Sequence, residues 1–222
     1  MSLFQFISDF FRDNAHWHGE YGIPHRLLEH VEYSVMALAM AAGIALPVGL
    51  VTGHTGRGGN ALALIATAAR ALPSYGLLVL MFFWLGLGLT PVMIPLVALA
   101  IPPVLVTTYE AMRSVDPAPV DAARGMGMGP AAVLFQVELP VALPLILSGL
   151  RSAAIQVVST TAIAAIVSLG GLGRFVIDGL NQRNYQIVVG GATLTAALAV
   201  SMIGVFWLIG RLVVSPGVRG GR

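Results

Sequence analysis

The sequence predicts an all-α integral membrane protein with about five transmembrane helices and a cytoplasmic polar loop between the third and the fourth. Three observations carry this. The 222-residue chain is 57% hydrophobic with a mean hydropathy of +0.85, too apolar for a soluble domain. Only 10% of its residues are charged, and stretches of about 20 residues pass without a charge, enough to cross a bilayer core. Three acids and one arginine nevertheless gather between Val115 and Pro140, the longest polar-punctuated interval between two apolar blocks.

Composition also excludes. Without cysteine there is no disulfide, no thiolate metal site and no cysteine nucleophile. Lysine is absent, so all twelve basic residues are arginine. A formal charge of +2 with a pI near 9.4 reflects arginines flanking spans, and nothing calls for a nucleic-acid partner.

Residues 1–29 form a distinct N-terminal segment. FQFISDFF is apolar and aromatic, but it lacks the basic start and small-residue cleavage site of a signal peptide. It is expected to lie on the lipid surface as a short amphipathic helix, with Trp17 and Tyr21 at headgroup depth. His16, His18, His25 and His30 fit no zinc spacing and are expected to be solvated or interfacial.

The transmembrane domain covers 30–213 and a C-terminal tail 214–222. Span one is Tyr33 to Thr52. The GHTGRGGN loop that follows lacks the lysine of a P-loop and the Ser/Thr that comes after it, and reads as a turn. Span two, Ala61 to Leu89, is interrupted by Arg70, expected to snorkel at a cytoplasmic end, and by Pro73. Span three, Pro91 to Thr108, holds Pro102 and Pro103, which remove backbone donors and are expected to bend it. Span four, Val141 to Leu169, contains Arg151 and the polar run Gln156, Ser159, Thr160, Thr161, groups that pack between helices or line a path. GGLGRF, at 170–175, is a turn, and span five is Ile187 to Ile209.

The 115–140 stretch reads as two short helices about a glycine turn. Asp116 followed by Pro117 starts the first, because a carboxylate accepts from first-turn amides and proline needs no donor there. The helix runs to about Met126, where Gly125, Gly127 and Gly129 break it. Pro130 starts the second, through about Val137, and Pro140 is expected to end it.

With those residues in place the loop resembles the EAA loop of ABC importer permeases: Asp121, Ala122, Ala123, then Gly127, Val137, Leu139 and Pro140 at matching spacing. Aspartate stands for the family's opening glutamate and valine for its isoleucine. The wider chain, from about His30 to Val213, looks like the osmoprotectant branch, which carries glycine betaine, choline or carnitine. Arg70, Leu72, Pro73 and Ser74, the run Ala122 to Gly127, and Gly170 to Gly173 carry that likeness. Thr107 departs from it, standing where asparagine is expected.

The resemblance implies alternating access by two permease subunits, identical or related, fed by an extracytoplasmic substrate-binding protein. Cytoplasmic ABC ATPase subunits would grip the 115–140 loop, where Asp121, Ala122, Ala123, Met126, Gly127, Val137, Leu139 and Pro140 are the coupling candidates. ATP and magnesium belong to that partner, since this chain has no P-loop and is expected to be no enzyme and to hold no cofactor. Ser74, Tyr75, Gln156, Thr160 and Thr161 are candidates for the translocation path. Arginine placement puts the N-terminus outside and the C-terminus in the cytoplasm of a bacterial cell membrane, with the loop inside. A permease for an amino acid or an oxyanion shares the whole mechanism. A secondary transporter would need acids inside its spans, and none is expected there.

Overall fold

The computed structural model describes residues 2–167 and 169–219, with the backbone alone for Arg70 and Arg219. The expectations for the Arg70 side chain and for Arg222 lie outside the described residues. Every regular element among them is helical. In chain order these are α1 (Leu3–Arg12), α2 (Ile23–Thr55), α3 (Gly59–Ala71), α4 (Ser74–Leu85), α5 (Thr90–Arg113), α6 (Pro117–Gly125), α7 (Pro130–Val133), α8 (Leu139–Ala164), α9 (Gly173–Asn181), α10 (Tyr185–Val213) and α11 (Pro216–Arg219), with short 3-10 turns after α1 and α8.

Among the described residues four helical stretches are long and apolar enough to cross a membrane: Ile23–Thr55, Thr90–Arg113, Pro130–Val167 and Tyr185–Val213. The α3 and α4 pair makes a fifth if it counts as one broken span. That break falls at Leu72 and Pro73, where a proline cannot donate to the preceding turn. Pro102 and Pro103, by contrast, do not interrupt α5. Among the described residues two helices went unforeseen: α9, in the interval between spans four and five, and the short α11 in the C-terminal tail.

The chain divides into two compact units. The first comprises Met1–Met40, Leu72–Ala100 and Ala154–Met202. Its α1 is closed by a reciprocal cap: Ser2 Oγ accepts from the Gln5 amide and Gln5 Oε1 accepts from the Ser2 amide. Trp17 and Tyr21 are exposed. Phe10, however, does not lie on a lipid surface; it is wholly buried with Ile23, Leu172 and Phe175, stacked on His16 and edge-on to Phe175. Gly190 makes room for it, since a β-carbon there would run into the ring.

His30 corrects another expectation, being neither solvated nor interfacial. It is fully buried, with Nε2 2.9 Å from the Val158 carbonyl and Nδ1 3.2 Å from the Leu172 amide. An amide can only donate, so Nδ1 accepts and Nε2 carries the proton that reaches Val158. Both ring nitrogens are therefore occupied by backbone. Glu29, one residue back, accepts from the Gly171 amide at 2.8 Å and from Arg26 at 2.8 Å. Together Glu29 and His30 hold the turn after the fourth span, in which Gly171 takes a left-handed φ of +83°.

The second unit comprises Ala41–Ala71, Ile101–Ala153 and Ile203–Arg222. Here α2 and α5 touch through Gly49 and Gly53. A β-carbon on Gly49 would stand 2.7 Å from that of Thr108, and one on Gly53 2.5 Å from that of Met112. Glycines four apart lie on one helix face, the small-residue pattern that lets membrane helices approach closely. Thr107, the departure from the family pattern, fills the space over Gly149 of α8, with 2.7 Å between its β-carbon and one built on that glycine. Ala111 and Met112 of α5 then pack with Ala142 and Ile146 of α8.

Candidate functional site

The interval 115–140 is built as follows. Asp116 Oδ1 accepts from the Ala118 amide at 2.9 Å and Pro117 opens the first turn of α6. Val120 and Ala123, three residues apart, fall on the face that packs with Val133 of α7, flanked by Val115, Met128 and Val137. The helix ends where the Met126, Gly127 and Met128 amides donate to the Ala122, Arg124 and Ala123 carbonyls. Of the three glycines expected to break it, only Gly127 needs its freedom, with φ at +86°; Gly129 has φ −70° and caps α7. A side chain at Gly127 would have open space but a strained backbone.

Pro140 does not end the second helix, contrary to expectation. The chain passes from α7 through a π-helical turn, Leu134–Glu138, directly into α8. There the Leu139 amide donates five residues back, to Leu134. A proline clashes with the carbonyl four residues before it, and a π-turn widens the coil at that spot. The proline is absorbed and the span reaches back to Pro130.

The coupling candidates accordingly separate into two faces. Asp121, Ala122, Met126 and Gly127 are exposed, Met126 at 78%. Ala123, at 2%, points inward, so its small size serves packing against Val133 rather than approach from outside. Val137 joins the same cluster, Leu139 packs on the α5 and α8 cluster, and Pro140 is exposed. Asp121 and Arg124 face each other at 3.9 Å, both well exposed, a separation and setting that contribute little to stability. What remains is an outward surface of small residues, one mobile thioether and one charge of each sign, backed by an apolar cluster. Such a surface suits docking.

The path candidates are less united. Ser74 and Tyr75 open α4, the first half-buried and the second exposed. Thr160 and Thr161 are buried, and their hydroxyls donate back to the Gln156 and Val157 carbonyls. Ser34 Oγ donates to Thr161 Oγ1 at 3.4 Å, while the Gln156 side chain is exposed. Among the described residues no hydrogen bond joins Ser74 or Tyr75 to the other three. Arg151 is half-buried in a groove lined also by Ser148, Trp207 and Arg211, whose guanidinium lies 4.3 Å from the Trp207 ring centre.

One polar contact beside the loop was missed by sequence reasoning. His54 Nδ1 lies 2.5 Å from Glu138 Oε2, and both side chains are largely buried. His54 sits in the last turn of α2, in the stretch read from the sequence as a turn. Glu138 was assigned to the loop, yet it stands inside the long helical stretch Pro130–Val167. The Gly49 and Gly53 spacing was visible as a signal that α2 makes a close helix contact; its partner was not.

Residues 45–220 match the family described as "Binding-protein-dependent transport system inner membrane component". The choline transport system permease protein OpuBB of Bacillus subtilis is 30% identical over 176 residues, 79% of this chain and 81% of that one. The glycine betaine/carnitine/choline transport system permease protein OpuCB of the same organism is 28% identical over 192 residues, 86% of this chain and 88% of that one. A chain of the inward-facing MetNI methionine ABC transporter shares the fold, with a TM-score of 0.75 over 87% of this chain and 96% of that one at 24% identity. With its apolar spans and its loop of two short helices, the chain belongs to the binding-protein-dependent family of inner-membrane transport components, the permease subunits of ABC importers.

Proposed function

We propose that this chain forms the translocation path of an ATP-driven importer for a small osmoprotectant such as glycine betaine, choline or carnitine. Two permease subunits, identical or related, stand side by side in a bacterial cell membrane. The N-terminus is external and the C-terminus cytoplasmic, which puts 115–140 within reach of a cytoplasmic ATPase. ATP and magnesium bind to that partner, and a separate extracytoplasmic protein delivers the solute. ATPase closure pushes on the paired α6 helices and rocks the bundles between outward and inward access.

The docking role rests on one observation: the outward face of α6 and its glycine turn presents Asp121, Ala122, Met126 and Gly127 while Val120 and Ala123 lock the helix from beneath. The solute class is drawn from the names its relatives bear. Seven arginines counted for the inner side (57, 70, 113, 124, 211, 219, 222) against four for the outer (12, 26, 174, 183) support the orientation.

Uptake of labelled glycine betaine, carnitine and choline by cells with and without this chain tests the reading. ATP-dependent uptake of at least one of them disappears with the chain and returns on complementation. Unchanged uptake of all three, with loss of an amino acid's uptake instead, contradicts the solute assignment.

A further inference from the structure

The outward face of α6 has a direct route into α8, because Val133 and Val137, under α6, belong to the same continuous helical stretch. Span one has no such covalent route. Its last turns meet the rest of the unit at the Gly49 and Gly53 contacts with α5, through Leu46 and Leu50 on the apolar cluster of α5 and α8, and, as a polar contact, at His54. Glu138, the partner of His54, is flanked by Val137 on the α6 cluster and by Leu139 on the α5 and α8 cluster. A movement of the α6 cluster therefore passes through the π-turn that carries Glu138.

A π-turn is a local irregularity, and such turns occur often at functional sites. This one places a carboxylate on a buried face, beside an imidazole 84 residues away in sequence. Burying such a pair gives little net stability, since desolvation offsets most of the attraction. It does give direction: a short hydrogen bond fixes two elements in one register. Apolar contacts alone permit sliding.

We propose that His54 and Glu138 are positioning residues that tie span one to the coupling helix, so that movement imposed on α6 reaches span one together with span four. The proposal rests on the permease reading above. It assigns no contact with solute or with ATP to either residue.

The test uses the assembled transporter in proteoliposomes and reads solute imported per ATP hydrolysed. Two variants are compared with wild type: His54→Asn, whose amide nitrogen takes the place of Nδ1 and keeps an N–H donor for Glu138, and the double replacement His54→Leu with Glu138→Met. Exchange of a buried pair for apolar groups of similar volume commonly preserves folding, so the double variant is expected to assemble and hydrolyse ATP. Its import per ATP falls on the order of tenfold, whereas His54→Asn stays within about twofold of wild type, because the hydrogen bond to Glu138 is retained. A double variant that imports at the wild-type ratio overturns the proposal, because the pair is then only packing. A lower yield of complex with an unchanged ratio overturns it equally. Failure of the parent reading looks different: wild-type protein then shows no ATP-dependent import at all.

Discussion

Gly53 of α2 and Met112 of α5 are packed so closely that a single β-carbon on the glycine would stand 2.5 Å from the methionine's. Gly43, ten residues earlier in the same helix, has nothing within 4 Å of that position. The two glycines thus form a matched pair for asking what close approach contributes. Gly53→Ala is expected to lower stability by about 1–3 kcal/mol through overpacking. Gly43→Ala should be neutral or raise it by up to about 1 kcal/mol, since alanine is the better helix former. Thermal unfolding of both variants in mild detergent checks this, and equal midpoints would show that the α2 and α5 contact yields freely.

His30 accepts from the backbone amide of the fully buried Leu172. His30→Leu keeps the volume roughly but leaves the Leu172 N–H without its acceptor. An unpaired buried donor costs about 1–3 kcal/mol. Amide hydrogen exchange at residues 170–172 should accelerate in the variant, with the rest of the chain little changed. Wild-type protection at that turn would mean the hydrogen bond is dispensable.

Phe10 is a second long-range anchor. Phe10→Ala is expected to destabilise the first unit by about 3–5 kcal/mol, the range for a large buried ring. Phe4→Ala, on the same helix but 84% exposed, should be silent. Limited proteolysis at the N-terminus of the membrane-embedded protein distinguishes them, and equal cleavage of the two variants would place Phe10 outside the core.

Phe10 and His30 also mark where the sequence stops being readable. Apolar length revealed the spans, and local chemistry revealed the Asp116 cap and the Gly127 turn, because each depends on neighbours within a few positions. The burial of Phe10 depends on Phe175 and Gly190, and that of His30 on Val158 and Leu172, more than 120 residues away. A histidine near the end of an apolar run looks interfacial until its partners are known. Pro140 was misread for a different reason: a helix breaker is tolerated if the preceding turn widens to π, and nothing local announces that. Among the coupling candidates the spacing could not say which face each residue takes, so Ala122 and Ala123 looked equivalent although only Ala123 is buried.

That difference supplies the most direct test of the docking claim. Gly127→Trp would block the face and strain the left-handed turn together, whereas Ala122 lies in regular helix with its side chain exposed. Tagged wild type and Ala122→Trp, purified in mild detergent from their own membranes, are compared for the ATPase that accompanies them. The account predicts an ATPase with wild type, at least a tenfold loss of it with Ala122→Trp, and unchanged yield and thermal stability of the permease. Retention of the ATPase at wild-type level by well-folded Ala122→Trp would contradict it, and would move the docking surface away from α6.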